Sequence, residues 1–201
     1  MRTQRFSQRS RIHLLQAGSV LLVAVILLTQ PLLVGRVHTF IEMVGVTLAI
    51  VCIGGRLWSC LYIGSRKNRE LVTTGPYSIT RNPLYFFSTL GAVGVGLMFG
   101  SITAALVLGF VIYRALIATA NKEREHLRAI FGVPYEVYER QTPLFWPKPT
   151  LYRDTQEVTF SPKALKRTFL DGMLFVLVFP VIEMIEHLHS NGLIPMLMRV
   201  F

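Results

Sequence analysis

The chain has 201 residues, 52% of them hydrophobic and 16% charged, with a mean hydropathy of +0.48, too apolar for an ordinary water-soluble domain. Its formal net charge of +10 comes from 21 Lys and Arg against 11 Asp and Glu. The basic residues flank apolar runs, so membrane electrostatics accounts for them and a nucleic-acid-binding face does not.

In chain order, Arg2, Arg5, Arg9 and Arg11 precede an apolar stretch from Ile12 to Val34. Its length and the lack of a small-x-small exit mark a retained spanning helix rather than a cleaved signal peptide. A short outer turn from Gly35 to Thr39 leads to a second span, Phe40 to Ile63, which holds Gly54-Gly55, Arg56 and Trp58. Arg56 is near enough to the helix end to snorkel. Cys52 and Cys60 lie roughly 12 Å apart along such a helix, too far for a bridge, and read as packing residues.

A basic loop with Arg66, Lys67 and Arg69 leads into Gly75-Pro76-Tyr77-Ser78-Ile79-Thr80-Arg81-Asn82-Pro83-Leu84-Tyr85. Gly75-Pro76 signals a turn, and Asn82-Pro83 reads as a helix N-cap followed by its first residue. Apolar segments from Pro83 to Phe99 and from Ile102 to Ala120 are separated by Gly100-Ser101 alone, which predicts an antiparallel helical hairpin. Gly96-x-x-x-Gly100 is a spacing that lets helices approach closely, and with no preceding strand these glycines do not read as a phosphate loop.

From Asn121 to Arg153 the chain turns polar and aromatic. The fourth helix is expected to continue out of the bilayer to near Gly132, followed by a short helix and a Pro-rich strap through Pro143 and Pro147. Trp146 and the tyrosines suit the membrane interface. The last apolar run, Phe169 to Ile182, is short and weakened by Pro180, Glu183 and Glu186, so it predicts an imperfect fifth segment with a re-entrant or interfacial helix behind it. His187 and His189, two apart on different helix faces, read as a polar helix end, and no metal site is expected.

The expected fold is an all-α polytopic transmembrane helical bundle of about five membrane segments. Residues 1–64 carry the arm and first two helices, 65–149 the core, and 150–201 a linker and the final membrane segment. Most of the 21 basic residues fall in the N-terminal arm, the 64–82 loop and the 121–168 region. The positive-inside rule puts that side in the cytoplasm, facing anionic lipid head groups.

The hairpin brings two stretches to one face. Arg81, Asn82 and Tyr85 at a helix N-terminus favour an anion such as a carboxylate. Asn121, Glu123, Glu125 and His126 supply acceptors for an ammonium or for ribose hydroxyls. A zwitterionic, aromatic-rich ligand suits both, and the alternative is a pair of solvated helix ends exchanging salt bridges. On an unbroken helix Arg114, Asn121 and Glu125 share a face within about 20°, with Glu123 opposite. Arg114 is an intramembrane charge, a functional candidate by default.

The order Gly75-Pro76-Tyr77, Arg81-Asn82-Pro83-Leu84-Tyr85, hairpin, Glu123 to Leu127, Phe131-Gly132 and Tyr135-x-x-Tyr138, closing on Pro143 and Pro147, resembles the integral membrane methyltransferases of the isoprenylcysteine carboxyl methyltransferase and phospholipid N-methyltransferase superfamily. The resemblance implies S-adenosylmethionine at the cytoplasmic end of the hairpin, with a membrane lipid or small apolar acceptor arriving from the bilayer and its acceptor atom a carboxylate, amine or thiol. It places Arg81, Asn82, Tyr85 and Glu123 on the cofactor; Tyr77, His126 and Tyr135 join them as cofactor candidates by position, and the shared helix face makes Arg114 and Glu125 the catalytic candidates nearer the acceptor. Three positions depart from the family pattern: Asn82 stands for a histidine, Arg124 for the second acid of a Glu-Glu pair, and Thr119 for an arginine. A non-catalytic membrane scaffold on the same fold is the alternative.

Overall fold

The structure is a computed structural model that describes residues 29–31, 35–64, 66, 69–191 and 198–200. Among the described residues there are six helices, α1 (Arg36–Ile63), α2 (Pro76–Ile79), α3 (Pro83–Met98), α4 (Ile102–Phe131), α5 (Val133–Gln141) and α6 (Pro162–Ser190), with a 3-10 turn at Pro149–Leu151. Strands β1 (Thr29–Pro31) and β2 (Met198–Val200) pair in parallel. The rest of the expected Ile12–Val34 span lies outside the described residues; its Thr29–Pro31 portion is strand instead of helix, consistent with Pro31 having no amide for a helix interior.

Among the described residues three helices are long and apolar enough to cross a membrane, within Arg36–Ile63, Ile102–Phe131 and Pro162–Ile185. The chain is an integral membrane protein. The third expected segment, α3, is apolar but has 16 residues, about 24 Å at 1.5 Å per residue, less than the roughly 30 Å hydrocarbon core. The C-terminal expectation is corrected: Phe169 to Ile182 is no short, broken segment but the middle of a continuous 29-residue helix that runs through Pro180.

α1 and α3 form the centre, α4 flanks α3, and α6 packs mainly on α1. In α1 the buried stripe is Gly45, Ala49, Cys52, Gly55 and Ser59, while Phe40, Met43 and Ile50 point outward. This is inside-out relative to a soluble helix, because lipid solvates large apolar side chains and small ones permit close backbone packing. A Cβ on Gly45 would fall 2.5 Å from the Met98 amide nitrogen, and one on Gly96 would fall 2.3 Å from Ala105 Cα. Gly96 therefore serves the α3–α4 approach, as its spacing predicts. Gly100 serves the turn instead, at φ 64, and Ser101 caps α4 by accepting from the Ala104 amide at 3.1 Å. α4 then runs unbroken to Phe131 and ends at Gly132, φ 56.

Candidate functional site: a cleft at one end of the helical hairpin

The stretch from Gly75 to Asn82 is held by the Pro-rich strap running beside it. Arg81 N donates to Pro143 O at 2.9 Å, Lys148 N to Ile79 O at 2.9 Å, and Gly75 N to Arg153 O at 2.7 Å. Side chains complete the join: Thr80 Oγ1 donates to Phe145 O at 2.9 Å and Arg153 N to Ser78 Oγ at 3.0 Å. Gly75 is at φ 58, and a Cβ there would lie 2.3 Å from the Tyr62 ring, so turn geometry and packing both require glycine. Asp154 closes the strap by accepting from Tyr62 Oη at 2.5 Å and Tyr152 Oη at 2.6 Å.

The Asn82 side chain does not cap α3. Its backbone carbonyl accepts from the Tyr85 and Phe86 amides, both at 3.1 Å, while its Nδ2 donates to Leu144 O at 2.9 Å. The amide is thus spent on the strap.

α5 presents Tyr135, Tyr138 and Glu139 on one face, at i, i+3 and i+4. Glu139 gathers the arginines. Arg81 Nη1 donates to its Oε1 at 2.8 Å, Arg128 Nη2 lies 2.7 Å from its Oε2, and Arg124 Nε lies 3.7 Å from Oε1. Burial alone would raise the Glu139 pKa, but the hydrogen bonds and charge of Arg81 and Arg128 outweigh it and hold the carboxyl below its ordinary value. Tyr138 Oη donates to Tyr77 O at 2.7 Å, and burial pushes the Tyr138 phenol far up, so it remains a donor at any physiological pH.

These elements enclose a cleft of about 170 Å³ that is open at its mouth. Ile63, Leu84, Ala120, Leu127 and Phe131 give it apolar walls. Across it Tyr85 Oη donates to Glu123 Oε2 at 2.8 Å. Tyr77 Oη and Arg81 Nε are buried with no hydrogen-bond partner, and burial drives the Tyr77 phenol well above its ordinary pKa. Burial also raises Tyr135, against the opposing influence of Arg81. Orphaned buried donors are costly unless a ligand meets them. The cleft therefore offers donors and positive charge at Arg81 and Arg124, a carboxylate at Glu123 and ring faces between them.

Tyr77, Arg81, Asn82, Tyr85, Glu123, His126 and Tyr135 all border this cleft. Arg114 and Glu125 do not; both are exposed on another face of α4. At 100° per residue an unbroken helix sets each of them about 160–180° from Glu123, and the side of α4 that turns to the cleft is the one bearing Glu123. Sequence reasoning missed Glu139, which lies outside the motif, although its i+4 relation to Tyr135 was a usable signal. It also treated Arg124 as a departure, whereas the side chain borders the cleft.

The fold and site define a class: an integral membrane protein with a polar-lined cleft where a helical hairpin leaves the bilayer. The profile of the phospholipid methyltransferase family matches residues 31–133. The chain is 40% identical over 155 residues to the cobalt-zinc-cadmium resistance protein CzcN of Cupriavidus metallidurans, covering 76% of this chain and 68% of that protein. It is 38% identical over 149 residues to the nickel-cobalt-cadmium resistance protein NccN of Alcaligenes xylosoxydans xylosoxydans, covering 73% and 67%. Protein-S-isoprenylcysteine O-methyltransferase B of Arabidopsis thaliana is 27% identical over 95 residues, 47% of this chain and 48% of that one. No solved structure matches. The chain belongs to the phospholipid methyltransferase family.

Proposed function

We propose that this protein transfers a methyl group from S-adenosylmethionine to a hydrophobic or membrane-borne acceptor. The observation that carries the reading is one cleft that joins orphaned donors at Tyr77 and Arg81 to the Tyr85–Glu123 pair. The residues fit the cofactor. Arg81, steadied by Glu139, and Arg124 would take its carboxylate. Glu123, oriented by Tyr85, would take the ammonium or ribose hydroxyls, and Tyr77, His126 and Tyr135 would wall the base. Asn82 holds the strap beside the cleft, and Arg114 and Glu125 receive no role in the chemistry.

When bound, the cofactor supplies a methyl carbon that an in-line acceptor lone pair takes as the carbon–sulfur bond breaks and the sulfonium becomes a thioether. The chain's own part is position, a water-poor site and field. By the positive-inside rule the cleft opens to the cytoplasm, near anionic head groups. The relatives named for cobalt, zinc, cadmium or nickel resistance suggest a setting for the reaction: modification of a membrane component in metal-exposed cells.

A second reading, a non-catalytic scaffold, draws on Asn82 being spent on the strap and on Arg124 standing at the second acidic position. Calorimetry of the detergent-solubilised protein with S-adenosylhomocysteine is expected to give saturable heat, weakened about tenfold or more in Tyr85→Phe and Glu123→Ala. No heat from the wild type overturns the methyl-transfer reading. Heat without label passing from methyl-labelled cofactor to any lipid or small acceptor supports the scaffold.

A further inference from the structure

One charged group inside the membrane has no part in the site described above. Arg56 lies in α1, seven residues before Ile63, and the two share a helix face within about 20°. It does not snorkel toward that helix end. Helical side chains lean toward the N-terminus, and the guanidinium crosses to α3, where Nη1 donates to Ser88 Oγ at 2.5 Å. Ser88 is itself fixed, donating to Leu84 O at 2.7 Å, and Leu84 and Ile63 both line the cleft. Arg56 and Ser88 thus sit beneath the cleft on its bilayer side, on the faces of α1 and α3 that wall it one or two turns further on.

Among the described residues the charge has no counter-ion, and the Arg56 Nε is buried with no hydrogen-bond partner. Arg81 and Arg128, by contrast, share Glu139. A guanidinium in a low-dielectric span is costly when unpaired, and such residues pair with an anion or mark a substrate path. With Nη1 taken by Ser88, the Nε edge of the planar fork remains to meet an oxyanion with two parallel bonds.

We propose that Arg56 receives the oxyanion, phosphate or carboxylate, of the membrane-borne methyl acceptor, which makes the acceptor an anionic amphiphile. This rests on the methyl-transfer reading. The tail stays in the bilayer, the anion docks between α1 and α3, and a nucleophile a few bonds further along reaches the cleft beside Tyr85 and Glu123. Arg56 sets specificity and position.

Native mass spectrometry of the full chain in detergent tests this, with dioleoylphosphatidic acid as the phosphate probe, oleate as the carboxylate probe and dioleoylphosphatidylcholine as the comparison without net charge. The wild type is expected to retain phosphatidic acid or oleate in preference to phosphatidylcholine, and whichever probe is retained identifies the anion. Arg56→Gln should lose that preference at least tenfold, Arg56→Lys should keep most of it, and Ser88→Ala should lower it three- to tenfold. Arg140→Gln, which removes an equal charge from the exposed side of α5, should leave it unchanged. Calorimetry with S-adenosylhomocysteine on the same samples reports a folded cleft; if Arg56→Gln does not fold, the Ser88→Ala result decides. Nucleoside binding with an anion preference insensitive to Arg56 and Ser88 overturns this assignment alone. No nucleoside binding in the wild type overturns the methyl-transfer reading and the acceptor role of Arg56 with it.

Discussion

Glu139 is the residue on which the arginine wall of the cleft depends. Its folded pKa is held below the ordinary 4.5 by Arg81 and Arg128 despite burial. The sign of the linkage follows: the stabilisation is fully present above about pH 4.5, the unfolded value, and is lost as pH falls through the lower folded value. The thermal midpoint in detergent should carry no Glu139 contribution to its slope from pH 7 to about 5, and should fall below pH 4.5. Glu139→Gln should remove that acid-side component and lower stability at pH 7 by about 1–3 kcal/mol, below the roughly 3–5 kcal/mol for breaking a fully buried pair because Arg128 is half exposed. An unchanged acid slope in the variant would sink this account. Asn82 shows why sequence alone mistakes roles at this scale. Its place at the start of α3 was legible, but whether a side-chain amide caps a helix, meets a ligand or ties down a strap depends on where residue 144 returns, and that is a tertiary fact.

Among the elements, α1 and α3 decide whether there is a bundle. Their contact runs through Gly45 and Gly94, where an added Cβ would meet backbone atoms, Gly94 O at 2.7 Å and Gly45 O at 2.9 Å respectively. Backbone cannot rotate aside as a side chain can, so Gly45→Val should cost at least the 1–3 kcal/mol typical of overpacking. Thermal unfolding in detergent should show a midpoint lower by several degrees, while Gly54→Ala, which meets nothing within 4 Å, should stay within a degree or two of wild type. The hairpin was legible because two apolar runs separated by two residues have one way to pack. α6 was not. Pro180 and Glu183 argue for a break on local propensity, but a membrane helix tolerates a proline, and although Pro180 itself is exposed, Ile182 and Ile185 just beyond it bury against Ala49, Met98 and Phe99.

For the whole molecule, the charge distribution predicts which side the cleft faces. Cys52 and Cys60 are both buried, so a cysteine introduced at exposed Lys122 or Arg36 dominates labelling by a membrane-impermeant maleimide. Lys122→Cys in intact cells should label only after permeabilisation and Arg36→Cys without it; the reverse pattern would overturn the cytoplasmic assignment. Composition and hydrophobic run length alone determined that the chain lives in a membrane, that it is helical and that its Arg81 and Glu123 stretches meet, because transfer free energy and chain length permit no other arrangement of so short a turn. Only the tertiary structure decided that Arg114 and Glu125 lie off the cleft, that Glu139 belongs to its wall and that Arg56 reaches Ser88. Those outcomes depend on helix rotation and on which element lies opposite, which a linear pattern does not encode.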